Sequence, residues 1–198
     1  MERSTLTDWA RARAGVVLDP LAHLLGRLGV RPNTVTVTGF ILQVGVGALF
    51  LLGRLRFGGV LLFVAAPLDA LDGAVARATD STGLFGAFLD STLDRLSDVA
   101  LILGLAGYQL QQGALLEAAL LLVALISALM VSYARARAES LGAHCKVGLM
   151  TRLERVLLIA LLSTLNLTTV LAWALALLSV VTFLQRVVHV YLVCSRRE

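Results

Sequence analysis

The sequence predicts an all-α integral membrane protein with six transmembrane helices and an N-terminal amphipathic interfacial helix. Of its 198 residues, 58% are hydrophobic and 15% are charged, whereas a soluble domain is nearer half apolar and a quarter charged. Several apolar runs reach the roughly 20 residues that cross a bilayer. We therefore expect a juxtamembrane amphipathic helix in residues 1–31 and a six-helix membrane domain in residues 32–198.

Residues 1–31 carry charges throughout and lack the apolar core and cleavage site of a signal peptide. Trp9 and Leu28 belong to an apolar side of the segment, and Arg11 and Arg27 to a polar side. This pattern predicts a helix that lies in the membrane interface, with a break near Pro20. The alternative is a helix packed on the cytoplasmic face of the protein.

Six apolar stretches predict the membrane helices. Pro32 favours the start of the first one, Asn33 or Thr34 can cap it, and its apolar run ends at Leu52. The other five are expected at about Gly58–Thr79, Leu84–Tyr108, Ala114–Glu139, Thr151–Leu165 and Thr168–Val193.

Three residues within these helices predict packing and bending rather than chemistry. Gly45 and Gly47 are small enough to let a neighbouring helix approach the first membrane helix. Pro67 is placed to bend the second one just before its first aspartate.

Positive charge predicts the orientation of the helices. If both termini are cytoplasmic, the outer loops lie near residues 53–57, 108–113 and 164–168, and Arg54 and Arg56 are their only basic residues. The remaining basic residues then lie on or near the cytoplasmic side, as the positive-inside rule requires. The sequence thus predicts a multi-pass protein of the cytoplasmic (inner) membrane whose active site faces the cytoplasm.

The charged residues that indicate chemistry concentrate in residues 69–98. Asp69 and Asp72 are three residues apart, and Asp90, Asp94 and Asp98 follow at intervals of four. Such spacings place side chains on one helix face, and carboxylates in an apolar helix are costly unless a cation neutralises them. A divalent cation between the two helices is the simplest compensation, because Mg²⁺ takes oxygen ligands and is commonly shared with phosphates.

Small residues and an arginine accompany these carboxylates. Gly73 and Ala76 follow Asp72, and Gly86 precedes the second acidic group. Small side chains let the phosphates of a ligand approach the backbone, and Arg77 can bind a diphosphate with its planar guanidinium. Together with the carboxylates, these residues predict a site for a metal-bound substrate that carries phosphate.

The complete pattern, D-x2-D-G-x2-A-R-x8-G-x3-D-x3-D, resembles the signature of the CDP-alcohol phosphotransferase family. That resemblance implies a metal-dependent membrane transferase of phospholipid synthesis, which uses CDP-diacylglycerol or a related CDP-lipid and releases CMP. The eight positions of the signature are Asp69, Asp72, Gly73, Ala76, Arg77, Gly86, Asp90 and Asp94.

The resemblance also implies roles for these residues. Asp69, Asp72, Asp90 and Asp94 are expected to bind one or two Mg²⁺ or Mn²⁺ ions, and Asp94 to accept the proton of the acceptor hydroxyl. The start of the first membrane helix also resembles the family, although a helix cap would explain the same residues. The residues expected at the CDP group are Asp69, Asp72, Gly73, Ala76, Arg77, Gly86, Asn33 and Thr36.

A second cluster, of basic residues, surrounds the turn between the fourth and fifth membrane helices. Grouped arginines beside an acidic metal site suit a second anionic substrate. The runs S-Y-A-R-A-R-A-E and T-R-L-E-R resemble the bacterial phosphatidylinositol-phosphate synthase branch, except that Thr151 replaces an acidic residue and Leu153 a proline. This resemblance implies that the phosphate of inositol 1-phosphate is bound by Arg135, Arg152, Arg155 and Arg186.

Three alternatives remain open at this stage. Glycerol 3-phosphate would suit the same arginines, and pairing with Glu139 and Glu154 would explain these arginines without any substrate. A cation-coupled transporter also carries intramembrane carboxylates, although it would more often spread them over several helices.

The remaining partners are expected from family and composition. The family resemblance implies a homodimer surrounded by membrane lipids. No nucleic acid is expected, because the chain has no basic patch with interleaved aromatic residues on a soluble fold. The histidines and cysteines show no metal-ligand spacing and are assigned no role.

Overall fold

The computed structural model describes residues 19–81, 83–145 and 147–195, without the side chain of Asp69. All regular elements in this part of the chain are helical, and residues 19–27 form the described part of helix α1. The helices that follow are α2 (Pro32–Leu51), α3 (Leu55–Ala65), α4 (Leu68–Ala78), α5 (Leu84–Gln111), α6 (Leu115–Ser140), α7 (Arg152–Thr164) and α8 (Thr168–Cys194).

Four segments of the described chain are long and apolar enough to cross a membrane: α2, α3 together with α4, α6 and α8. Helix α5 has 28 residues, but its first half contains Asp90, Asp94, Arg95 and Asp98. Helix α7 has 13 residues, fewer than the roughly 20 that span a bilayer at right angles. The all-helical membrane class is confirmed, and four segments meet the criteria for a span.

The predicted helix boundaries lie within a few residues of the observed ones, apart from the second membrane helix. There Pro67, which lacks an N–H donor, separates α3 from α4 and is the N-cap residue of α4. The bend predicted at Pro67 is thus an interruption of the helix two residues before Asp69.

Helix α2 begins at Pro32 as predicted, but the predicted capping by Asn33 or Thr34 is wrong. The N-cap residue is Arg31, whose backbone is extended and whose side chain makes no capping hydrogen bond. Asn33 therefore lies within the first turn, where its exposed side chain is available for other contacts.

The described part of α1 packs beside α2 and α4. Ala22 is buried there together with Val35 and Val75, whereas Leu24 and Leu28 are exposed. Residues 28–31, the end of the predicted amphipathic helix, are not helical. Its residues 1–18, on the N-terminal side of the predicted break near Pro20, lie outside the described residues.

The main apolar core lies between α2, α3, α5, α6, α7 and α8, where Phe50, Leu62, Leu101, Leu121 and Leu175 are buried. Helices α2 and α5 approach each other at two glycines. A Cβ atom on Gly104 would lie 2.8 Å from the carbonyl carbon of Gly47, so the packing role predicted for Gly47 is confirmed. A Cβ atom on Gly45 would contact nothing within 4 Å in the described chain, so the same prediction fails there.

Candidate active site

The first half of the aspartate motif lies on α4, beside the start of α2. Asp72 is buried, with 6% of its surface exposed. Its Oδ2 accepts a hydrogen bond of 2.7 Å from the Thr36 hydroxyl, and its Oδ1 accepts one of 2.5 Å from the Gly73 amide. Asp72 therefore joins α4 to α2, while Asp69 lies in the first turn of α4.

A cavity of about 260 Å³ opens between the start of α2, helix α4 and the start of α5. Asp90 of the second motif half lines it, and its wall includes Gly86, where an added Cβ would lie 3.3 Å from Asn33 Oδ1. The small residues of the motif thus keep this space open. The cavity brings together seven of the residues predicted at the CDP group: Asn33, Thr36, Asp72, Gly73, Ala76, Arg77 and Gly86.

Ser81 also lines this cavity and was missed by the sequence reasoning. Its hydroxyl lies 2.5 Å from that of Thr79. The signal was its position between the two motif halves, where the chain turns from α4 into α5.

The second half of the motif follows one face of α5 away from the cavity. Asp94, one turn beyond Asp90, forms an ion pair of 2.9 Å with Nη1 of Arg152. Among the described side chains, which do not include that of Asp69, no three carboxylate, imidazole or thiol groups form a metal-binding cluster. Carboxylate oxygens on Asp72 and Asp90 at one cavity are nevertheless the donors that Mg²⁺ and Mn²⁺ prefer, so the residues fit a divalent cation.

Arg152 links the arginine cluster to the aspartates. Besides Asp94, it contacts Gln43 of α2, whose Oε1 accepts a hydrogen bond of 3.4 Å from Arg152 Nη2. Gln43 is completely buried and was missed from sequence. The signal was a polar amide in an apolar helix, because a buried amide needs a hydrogen-bond partner.

The other three predicted arginines also have protein partners. Arg155 is buried against Asp98 at 2.5 Å, and Arg186 donates hydrogen bonds to the carbonyl oxygens of Val131 and Val147. Arg135 is exposed and forms an ion pair with Glu139, as the substrate-free alternative predicted. The structure therefore places Arg152 at the aspartate site and gives Arg155 and Arg186 buried structural contacts.

Helix α8 holds the connection between α6 and α7. Thr182 accepts a hydrogen bond of 3.0 Å from the Met150 amide, and Gln185 accepts one of 3.2 Å from the Leu149 amide. A ring nitrogen of His189 lies 3.1 Å from the carbonyl oxygen of His144. These contacts hold the loop that leads to the first residues of α7.

Thr151, which departs from the family pattern, is the N-cap residue of α7. It forms a capping box with Glu154, in which each side chain satisfies a backbone amide at the start of the helix. A capped first turn fixes Arg152, the first residue of α7. The departure at Thr151 therefore has a structural role at this end of the helix.

The two cysteines show no disulfide. Cys145 is buried, Cys194 is partly exposed, and both are free thiols.

The fold and the site together define a helical membrane protein with a polar cavity suited to a phosphate-bearing ligand. Residues 29–185 match the CDP-alcohol phosphatidyltransferase family over most of the chain, so this protein belongs to that family. It is thus a transferase of phospholipid synthesis, and the predicted family is confirmed. The transporter alternative loses its basis.

Relatives of this chain carry two related names. An archaetidylinositol phosphate synthase from Pyrococcus horikoshii is 40% identical over 86% of this chain and 88% of its own length. A phosphatidylinositol phosphate synthase from Corynebacterium glutamicum is 38% identical over 90% of this chain and 85% of its own.

Crystal structures of phosphatidylinositol phosphate synthase from Mycobacterium tuberculosis share the fold. The structure with CDP-DAG bound has a TM-score of 0.83 and 31% identity, and the match covers 88% of this chain and 94% of that one. A second, in complex with manganese and citrate, has a TM-score of 0.79 and 31% identity over 88% of each chain.

Proposed function

We propose that this protein is a phosphatidylinositol-phosphate synthase, which transfers a phosphatidyl group to inositol 1-phosphate and releases CMP. The observation that carries this proposal is the cavity lined by Asp72, Gly73, Ala76, Arg77 and Gly86, with Arg152 paired to Asp94, one helical turn beyond Asp90 of the cavity wall. The names of the relatives support inositol phosphate as the acceptor. Because the relatives include both archaetidylinositol and phosphatidylinositol phosphate synthases, two lipid donors are compatible with their names: CDP-diacylglycerol and CDP-archaeol.

The cavity suits the CDP group of the donor. Arg77 provides a charged guanidinium at its edge, and Gly73 and Ala76 leave room for phosphate oxygens beside the backbone. Asn33 and Thr36 form the opposite wall, on the first turns of α2. We place the acyl chains of the donor in the surrounding bilayer.

Asp69, Asp72, Asp90 and Asp94 are the residues proposed to hold one or two Mg²⁺ or Mn²⁺ ions. A bound divalent cation supplies positive charge that stabilises the phosphoryl oxygens and the departing CMP. Thr36 supports this role by donating a hydrogen bond to Asp72, which leaves less freedom for the carboxylate to turn.

Asp94 is proposed as the general base for the acceptor. It removes the proton from the inositol phosphate hydroxyl, whose oxygen then forms a bond to the lipid-proximal phosphorus. The bond between that phosphorus and the bridging diphosphate oxygen breaks, and CMP leaves with the electron pair. Arg152 lies 2.9 Å from Asp94, close enough to hold the acceptor phosphate while Asp94 acts on its hydroxyl. The other arginines predicted from the sequence have protein partners: Glu139 for Arg135, Asp98 for Arg155, and the carbonyl oxygens of Val131 and Val147 for Arg186.

The architecture proposed for the membrane has six spans, with α5 and α7 added to the four apolar segments. Residues 1–31 then form the interfacial helix and residues 32–198 the membrane domain. Both termini and the active site face the cytoplasm of an inner membrane, and the enzyme is a homodimer among membrane lipids. The positive-inside distribution supports this orientation, since Arg54 and Arg56 are the basic residues of the predicted outer loops.

The test is CMP release by the purified protein with CDP-diacylglycerol and Mg²⁺. Inositol 1-phosphate, glycerol 3-phosphate and serine are compared as acceptors, and CDP-archaeol is compared as a donor. Release with inositol 1-phosphate alone is expected. A preference for glycerol 3-phosphate would keep the mechanism and change the acceptor, whereas no release with any acceptor from folded protein would refute the proposal.

Variants separate the proposed roles of the aspartates. Asp94→Asn is expected to abolish turnover and to spare binding of the CDP-lipid, whereas Asp69→Asn should weaken both. Asp80→Asn is the matched control, because Asp80 is exposed and has a left-handed backbone that asparagine tolerates. Equal loss of CDP-lipid binding in Asp94→Asn and Asp69→Asn would contradict these roles.

A further inference from the structure

Two ion pairs join α5 to α7, one helical turn apart. Arg152 Nη1 lies 2.9 Å from Asp94 Oδ1, and Arg155 Nη2 lies 2.5 Å from Asp98 Oδ2. Arg155 makes a second contact to the same carboxylate, from Nε to Oδ1 at 3.3 Å. We propose that Asp98 and Arg155 are a positioning pair, which sets Arg152 opposite Asp94. Arg155 then does not bind the acceptor phosphate itself.

The spacing of the two pairs carries the first part of this proposal. The two aspartates are four positions apart on α5 and the two arginines are three positions apart on α7. These spacings correspond to rises along the helix axis of about 6 Å and 4.5 Å. Both pairs ascend in chain order, so the two helices run in the same direction here. A shift of one pair along the helices therefore shifts the other.

Little else holds α5 and α7 in register within the described part of the chain. Helix α5 packs mainly on α2 and α6, and α7 packs mainly on α3 and α8. Long side chains bridge the space between them, and Gln43 adds one contact from α2 to Arg152. The contacts of α8 to Leu149 and Met150 hold the loop before α7, and the two ion pairs set the position of the first turn of α7 relative to the aspartates.

Burial distinguishes the two arginines. The side chains of Arg155 and Asp98 are 2% and 3% exposed, whereas those of Arg152 and Asp94 are 21% and 24% exposed. A phosphate bound to Arg155 would have to displace Asp98 and leave that carboxylate buried without its charge partner, which is strongly unfavourable. Arg152 can turn toward a phosphate at the surface of the site without this cost.

Asp98 itself lies outside the family signature, which ends at Asp94. It continues the row of carboxylates by one further turn, where its side chain is 3% exposed and paired with Arg155. Its role is therefore to act through Arg155 and Arg152. This inference rests on the proposed function, because it concerns the acceptor phosphate.

The deciding variant is Asp98→Asn, which removes the charge and keeps the shape. A positioning role predicts that KM for the acceptor rises about tenfold to a hundredfold, the loss expected for one charge-assisted hydrogen bond. KM for the CDP-lipid should stay unchanged. If Arg155 bound the phosphate, loss of the Asp98 charge would release it for that purpose, and a lowered or unchanged acceptor KM would overturn the proposal.

A second variant guards against unfolding. Asp98→Leu combined with Arg155→Met replaces the pair with apolar side chains, which buried ion pairs commonly tolerate. It should fold and still show the raised acceptor KM, and a wild-type acceptor KM would overturn the proposal. Leu101→Ala, a cavity variant on the same helix, is the control for general loosening. It should lower the unfolding temperature without changing the KM for the acceptor. If Leu101→Ala raised this KM as much as Asp98→Asn does, that result would also count against a positioning role.

Binding without turnover separates this inference from the proposed function. Calorimetric titration of wild-type protein with inositol 1-phosphate and with glycerol 3-phosphate identifies the acceptor that binds, whether or not CMP is released. Asp98→Asn should weaken binding of that same acceptor. If the wild-type protein binds glycerol 3-phosphate instead of inositol 1-phosphate, the proposed acceptor is wrong. The positioning role still holds if Asp98→Asn weakens binding of the acceptor that the wild-type protein does bind.

Discussion

The contact between α2 and α5 at Gly47 supports a quantitative prediction. A Cβ atom at this position would lie 2.8 Å from the carbonyl carbon of Ala100, and closer to its oxygen. Ordinary contact requires about 3.5 Å, so Gly47→Ala must separate the helices by about 1 Å. Because both clashing atoms belong to the backbone, no side-chain rotation relieves them. Overpacking of this kind costs about 1–3 kcal/mol of unfolding free energy.

The same displacement should reach the acceptor side of the active site. Ala100 lies two residues beyond Asp98, and Gln43, which contacts Arg152, lies four residues before Gly47. A misplacement of about 1 Å can lower catalysis by about a hundredfold. We therefore expect a fall in kcat/KM for the acceptor of about ten- to a hundredfold. The effect on the CDP-lipid should be smaller, because the cavity lies at the far end of α2.

Gly45→Ala is the matched control, since it lies two residues away on the same helix and an added Cβ meets nothing within 4 Å. It should keep wild-type activity and gain about 0.5–1 kcal/mol from helix propensity. Thermal unfolding in detergent and steady-state CMP release measure both variants. Wild-type stability and activity in Gly47→Ala would refute the close packing, and equal losses in Gly45→Ala would indicate an effect of backbone flexibility instead.

Three further predictions address the site. Thr36→Val removes the hydrogen bond to buried Asp72 and should raise KM for the CDP-lipid about tenfold or more, whereas Thr36→Ser should restore it; a wild-type KM in the valine variant would remove Thr36 from the site. Arg186→Met loses the bonds to Val131 and Val147 and should lower the unfolding temperature as well as acceptor affinity, while loss of acceptor affinity alone would indicate direct phosphate binding. Chelation of divalent cations should abolish CMP release, and added Mg²⁺ or Mn²⁺ should restore it; activity that persists in the chelator would contradict the metal assignment.

The cavity proposed for the CDP group could be predicted from sequence because most of its residues are close in the chain. The spacing within α4 and within α5 is set by helix geometry, and a short turn brings the two halves of the motif together. Asn33 and Thr36 were the exceptions, since they come from α2. They were found through the family resemblance, and the hydrogen bond between Thr36 and Asp72 explains why that helix belongs to the site.

The partners of the arginines could not be predicted in the same way. Arg155 and Asp98 are 57 residues apart, and Arg152 and Gln43 are 109 apart. A single sequence shows that buried charges need partners but not which partner each one meets. Glu139 was predictable for Arg135 because the two are four residues apart on one helix.

Contacts between distant helices also limit the prediction of the membrane spans from sequence. Apolar length identifies α2, α6 and α8 directly, but α5 carries Asp90, Asp94 and Asp98, and these charged side chains lower its mean hydropathy. The structure satisfies two of them by pairing Asp94 with Arg152 and Asp98 with Arg155, both from the short helix α7. Hydropathy rates each helix alone and cannot include this mutual neutralisation. Helix α7 falls short of a span because it has 13 residues, whereas α5 falls short because its first half is charged. The ion pairs between them lower the cost of placing these charges in a membrane, which is a physical reason to count both helices within the proposed six-helix domain.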